Sequence, residues 1–172
     1  MINILRLYTK YNRDTNNEII KLLSNLSEDE LKCERNIYYK SIYNLFNHLV
    51  IAEWYYLNAM FYISGRDYSA SRKTLKRIET SFSESSTIMQ ELDEKLIDFI
   101  SEVTEDELKL EKKNLKIYNG RTVDMSVWEY ITQHITHQLH HKGQLSQVLD
   151  ELKIEHEFGN IFPYVRDSVK KV

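Results

Sequence analysis

Hydrophobic positions along this chain recur at helical spacing in four long segments. From about Ile4 to Leu26, the positions Leu5, Tyr8, Asn12, Ile19, Leu22 and Leu23 roughly share one face. Ser41 to Ile63 repeats Ile42, Leu45, Leu49, Ala52, Tyr56, Ala59 and Ile63 as a sustained i, i+3, i+4, i+7 stripe. About Phe82 to Val103, the stripe is Ile88, Leu92, Leu96, Phe99 and Val103; from Ser126 to Leu152 it is Val127, Ile131, Leu145, Val148, Leu149 and Leu152. Ser126 with Glu129 three residues on is a capping box, in which each side chain satisfies a backbone N–H at the helix start. Four amphipathic helices without a sustained heptad repeat predict an all-α fold, a four-helix bundle. The whole chain, 1–172, reads as one domain.

The stretches between the helices carry their own signals. "LSEDEL" (Leu26 to Leu31) and "TEDEL" (Thr104 to Leu108) each offer a Ser or Thr cap with Glu three positions later, so each predicts a short helical turn. This echo fits either a duplicated helix pair or the commonness of acidic capping sequences. Asn119-Gly120, flanked by Lys116-Ile117-Tyr118 and Arg121-Thr122-Val123, is a hairpin-turn signal, because Asn and Gly tolerate positive φ. A short hairpin or crossover is therefore expected before the last long helix. "GRDYSASRKT" (Gly65 to Thr74) is the other connector, and the end of the chain is expected to pack as a tail through Phe158, Ile161, Phe162 and Tyr164.

Composition narrows the function classes. Only four Gly and one Pro are present, which favours long uninterrupted helices. A formal charge of −3 argues against nucleic-acid binding, which needs a concentrated basic face. Arg72-Lys73 and Lys112-Lys113 read as solvated surface. The single cysteine, Cys33, cannot form an internal disulfide and suits a reducing compartment. "MINILRLYTKYNRD" lacks the basic-then-apolar order of a signal peptide. The most apolar stretch, Leu49 to Ile63, is interrupted by Glu53 and Asn58 and is shorter than the ~20 residues of a membrane span. The expectation is a cytoplasmic protein with no membrane association.

The candidate chemistry is concentrated in "QHITHQLHHKGQL" (Gln133 to Leu145), which holds four of the six histidines. At ~100° per residue, His134 and His141 fall on the inward stripe, His137 on its flank and His140 furthest toward solvent. His137 and His141, at i and i+4, can project to one point, the spacing by which a helix chelates a metal with two imidazoles. A third ligand has to come from elsewhere. His48, within "NLFNHLVIAEWYYL", flanks the stripe of its own helix and can meet that point; His156, beyond the last helix, is poorly placed. Three neutral imidazoles would leave positions open for water or substrate. Taken alone, these residues also fit hydrogen-bonded core histidines or an acid–base cluster.

The motif "THQLHHKGQL" resembles the signature of the DinB family. His137, His141, Gly143, Gln144 and Leu145 match it, while Thr136 stands where Asn is common and Lys142 where Arg is. "SIYNLFNHLVIAEWYYL" is similar to the family's second-helix segment through His48, Glu53 and Trp54, and "IYNGRTV" sits where the family has a short turn before its last helix. The resemblance spans roughly Leu5 to Leu152. It implies a four-helix bundle of up-down-down-up order, often a homodimer, with a divalent metal (Zn, Ni, Fe or Co) on His48, His137 and His141, and it sets His134 aside. Gly143 would then permit close helix approach beside the metal, Gln144 would donate a hydrogen bond from behind the ligands, and Lys142 would keep the charge of Arg without its planar fork.

The resemblance further implies a choice of activities. Relatives in the wider superfamily include thiol-dependent transferases and isomerases that use bacillithiol, mycothiol or glutathione, and metal hydrolases. A metal with an open position would lower the pKa of a small-molecule thiol and present it to an electrophile; with water instead, the site would hydrolyse. The first expectation is a metal-dependent enzyme transferring a low-molecular-weight thiol to a small electrophile. The alternatives are a metal-dependent hydrolase and a non-enzymatic, metal-binding stress-response bundle. The Tyr-rich second helix (Tyr55, Tyr56, Tyr62) is a candidate pocket wall, although packing explains it equally well.

Overall fold

In a computed structural model of the chain, residues 2–66, 81–116 and 120–166 are described. Their order is α1 (Ile2–Leu23), α2 (Glu28–Lys32), α3 (Ile42–Ser64), α4 (Phe82–Glu102), α5 (Glu105–Leu108), β1 (Glu111–Lys116), β2 (Thr122–Ser126), α6 (Val127–Glu151) and α7 (Phe162–Arg166). The described residues are mostly helical, with one small antiparallel sheet among them. The four long helices pack in a ring: α1 touches α4 and α6, and α3 touches the same two. No helix among the described residues is long and apolar enough to cross a membrane.

Capping sets most boundaries. Glu30 N donates to Ser27 Oγ while Ser27 N donates to Glu30 Oε2, which starts α2; Thr104 and Glu107 start α5 the same way. At α6 the Glu129 carboxylate accepts from Ser126 N and Oγ. Ser41 and Ser81 cap α3 and α4 by accepting from Asn44 N and Glu84 N. Gly65 closes α3 at φ 73°, a left-handed position that a side chain would strain.

The stripes meet in one core. Ile19, Leu23, Leu45, Phe46, Leu49, Met60, Met89, Leu96, Phe99, Val127, Ile131, Leu145, Val148 and Leu149 are all buried. Each such side chain contributes about 1.5–3 kcal/mol on burial. The α3 stripe drifts from expectation. Tyr56 and Ala59 are only half-buried, and Leu57 and Met60 carry the contact, because α3 is covered on two sides by α4 and α6.

Strands β1 and β2 form the expected hairpin, pairing Glu111 with Ser126 and Lys116 with Thr122. The register breaks between Lys112 and Leu115, where Asn114 sits at φ 53° and its N–H is taken by Asp124 Oδ1. Gly120 has the positive φ expected of the turn (78°), whereas Asn119 lies outside the described residues, as does most of the Gly65–Thr74 connector, Arg72-Lys73 included. Lys112 and Lys113 are exposed, as is Cys33.

The C-terminal expectation needs one correction. Phe158 is buried and accepts a 2.6 Å bond at its carbonyl from Tyr11 Oη, and the Tyr164 ring meets Tyr11 edge-on at 5.3 Å. Phe162, however, is 67% exposed. The segment forms the short α7, only one side of which faces α1, and Phe162 lies on the other.

Candidate metal centre

The ligand-bearing helices α3 and α6 pack side by side. This contact brings His48, from the second turn of α3, to His137 and His141, one turn apart on α6. His48 Nε2 lies 3.3 Å from His137 Nε2 and 3.1 Å from His141 Nε2. Among the described residues this is the one cluster of at least three His, Cys, Asp or Glu side chains whose donor atoms converge closely enough to hold a metal ion. Three nitrogens at about 2.0–2.1 Å from one tetrahedral ion stand ~3.4 Å apart, so the spacing fits.

Protonation favours lone pairs at this point. Burial, then the neighbouring His141, pushes His48 down to about 4. Burial and the other imidazoles push His137 to about 3. His141 is lowered too, by burial, against a hydrogen bond to Gln144 that raises it. At neutral pH all three rings are uncharged. His141 Nδ1 is 2.8 Å from Gln144 Oε1. An amide oxygen only accepts, so Nδ1 carries the proton and Nε2 keeps the lone pair aimed at the cluster. Gln144 thus accepts where the sequence suggested a donor. The corresponding Nδ1 of His137 is buried without a protein partner.

Aromatic rings wall the cluster. Tyr39 stacks on His48 at 4.5 Å and 26°, and meets His141 edge-on at 5.4 Å. It is delivered by the turn before α3, closed by Arg35 N to Lys40 O and by a left-handed Lys40 (φ 68°). No sequence signal marked Tyr39, since a turn residue has no period to betray its direction. Tyr56 lies 5.4 Å from both His134 and His137, whereas Tyr55 and Tyr62 are exposed away from the cluster.

The other histidines separate cleanly. His140 is exposed, its ring 4.8 Å from His141. His156 Nε2 meets Ser146 Oγ at 2.6 Å, and its Nδ1 lies 3.0 Å from the Ile154 carbonyl, away from the cluster. His134 is buried, with Nε2 3.1 Å from Glu53 Oε2. That contact is too poorly aligned to be a hydrogen bond, which leaves both ring nitrogens without a well-directed partner. Gly143 departs from expectation. It is exposed, and a Cβ there would meet nothing within 4 Å, so it allows no close helix approach. It sits on the solvent side of α6.

Beneath the cluster runs a buried polar network that the apolar stripes concealed. Lys142 is buried, and its Nζ donates to Asn12 O (3.0 Å), Asn12 Oδ1 (2.8 Å) and Thr15 Oγ1 (2.6 Å). Asn12 Nδ2 and Asn16 Nδ2 donate to Asp93, and Gln138 Nε2 donates to Glu53 Oε2 at 2.8 Å. Burial, then the Glu53 charge, raises the Asp93 carboxyl well above the usual carboxylate range; burial also lowers the Lys142 ammonium, against the pull of both carboxylates. The available signal was Asn12, a polar residue on the apolar face of the first helix, with Asn16 one turn later.

The DinB family model matches residues 1–155 of the 172-residue chain. No curated protein matches it.

Proposed function

The chain belongs to the DinB family, and from that premise we propose that it is a metal-dependent enzyme transferring a low-molecular-weight thiol to a small electrophile. His48, His137 and His141 are the ligands in this reading. The observation that carries it is the meeting of three imidazole Nε2 atoms, 3.1–3.3 Å from His48 to each partner, with all three rings held neutral. When bound, the metal supplies a Lewis acid that lowers the pKa of a coordinating thiol. Imidazole donors suit Zn, Ni, Fe or Co.

The chain's own residues do the rest. Gln144 holds the His141 tautomer, and Tyr39 braces the His48 ring by stacking. Tyr39 and Tyr56 also present aromatic surface beside the ligands, which limits water there and suits an electrophile with an apolar body. The four long helices form an up-down-down-up bundle, and two copies pair as a homodimer.

Metal analysis of purified wild type against His137→Ala tests the ligand set. Wild type is expected to hold about one divalent ion per chain, and the variant to lose it. Thiol titration of cobalt-substituted protein then tests the reaction class, through a new sulfur-to-metal charge-transfer band. Wild type that takes up no metal would overturn the proposal. Metal uptake with no spectral response to any small-molecule thiol would favour the hydrolase or the non-enzymatic metal-binding bundle instead.

A further inference from the structure

Gln138 joins the two ligand-bearing helices at the level of the histidine cluster. On α6 it follows His137 by one residue. Its Nε2 donates to the carbonyl of Leu49, the residue after His48 on α3, at 3.2 Å, and to Glu53 Oε2 at 2.8 Å. Gln138 is fully buried and Glu53 is 1% exposed, so neither can turn to water for another partner. Glu53 Oε2 is also 3.4 Å from Asn12 Nδ2 on α1, and that amide reaches Asp93 on α4 at 3.1 Å. The chain of contacts therefore crosses all four long helices.

Apolar packing alone tolerates small slides and rotations between helices, since one methyl contact replaces another. A buried amide with two directed bonds does not, because a shift that breaks either strands a polar group in a dry core. The first of these bonds ties the residue after His137 to the residue after His48, and the second reaches Glu53 one turn further along α3. We propose that Gln138, through the bond it donates to the Leu49 carbonyl beside His48 while Glu53 anchors the same amide, is a positioning residue of the metal centre, setting the separation of His48 from His137 and His141. The inference rests on those histidines holding a metal.

The test compares cobalt(II) affinity, by chelator competition, and melting temperature in wild type, Gln138→Met, Gln138→Glu and the exchange E53Q/Q138E. Methionine matches glutamine in length and removes both donated bonds. The exchange restores an amide–carboxylate pair in the opposite sense, but Glu at 138 has no N–H for the Leu49 carbonyl. Expected is a weakening of roughly 10–100-fold in Gln138→Met, as for other residues that orient ligands. The exchange should regain the melting temperature lost in Gln138→Glu alone and still bind cobalt weakly. Wild-type affinity in Gln138→Met, or affinity returning with the melting temperature in the exchange, would overturn the proposal.

Should wild type bind no cobalt, the metal reading fails on its own, and positioning is still measurable in metal-free protein. The imidazole 15N signals of all three histidines should then shift together in Gln138→Met, and their constancy would refute positioning.

Discussion

Lys142→Met is the most informative single change to the core. The ammonium has three N–H donors and meets three acceptors, Asn12 O, Asn12 Oδ1 and Thr15 Oγ1, at 2.6–3.0 Å. It is also the buried cation that offsets Glu53 and Asp93, both 1% exposed. Methionine fills the same volume, so the loss is electrostatic and not steric. Removing one side of a buried charged network costs about 3–5 kcal/mol, a large share of the ~5–15 kcal/mol typical of whole domains. At about 2–4 °C per kcal/mol for this size, the melting temperature should fall by roughly 6–20 °C. Urea unfolding followed by circular dichroism reads the cost as a lower midpoint with unchanged slope. Adding Asp93→Asn should recover part of it, because the stranded charge is then gone while an amide oxygen still accepts from Asn16. A Lys142→Met protein within 1 kcal/mol of wild type would refute this account of the network.

Gln144→Leu deprives His141 Nδ1 of its acceptor, and metal affinity by chelator competition should weaken about 10–100-fold; unchanged affinity would show that the tautomer needs no help. Gly143→Ala should stabilise by about 1 kcal/mol, read as a rise of ~2–4 °C in melting temperature, because the position is helical, exposed and open; destabilisation would restore a packing role. In metal-free protein, the unfolded chain takes up protons below the ordinary histidine value of 6.5, whereas folded His48 and His137 resist until about 4 and 3. Stability should therefore fall as pH drops from 6.5 toward 3 and be flat just above 6.5 on their account. Urea midpoints across that range should slope less in His48→Gln/His137→Gln, and an equal slope would assign the acid sensitivity elsewhere.

Much of this was legible in order along the chain. The period of apolar residues located all four long helices, and Ser27/Glu30, Thr104/Glu107 and Ser126/Glu129 marked helix starts through bonds made within four residues. Helical phase also separated outward His140 from inward His134 and His141, because rotation about a helix's own axis depends only on sequence spacing. His48, flanking the stripe of its own helix, was the candidate third ligand, and the resemblance to the DinB family then chose His137 and His141 over His134.

Only the packing of helix against helix decided the rest. Whether an inward polar group meets a donor, a carboxylate or another imidazole depends on the slide and rotation between neighbours. No residue encodes these alone, since they come from the fit of whole faces. That is why His134, on the same stripe as His141, faces Glu53 while His141 meets His48. It is also why Lys142, known from the motif only as a replacement for Arg, reaches Asn12 across the core, and why Tyr39, in a turn without period, lies over the histidines.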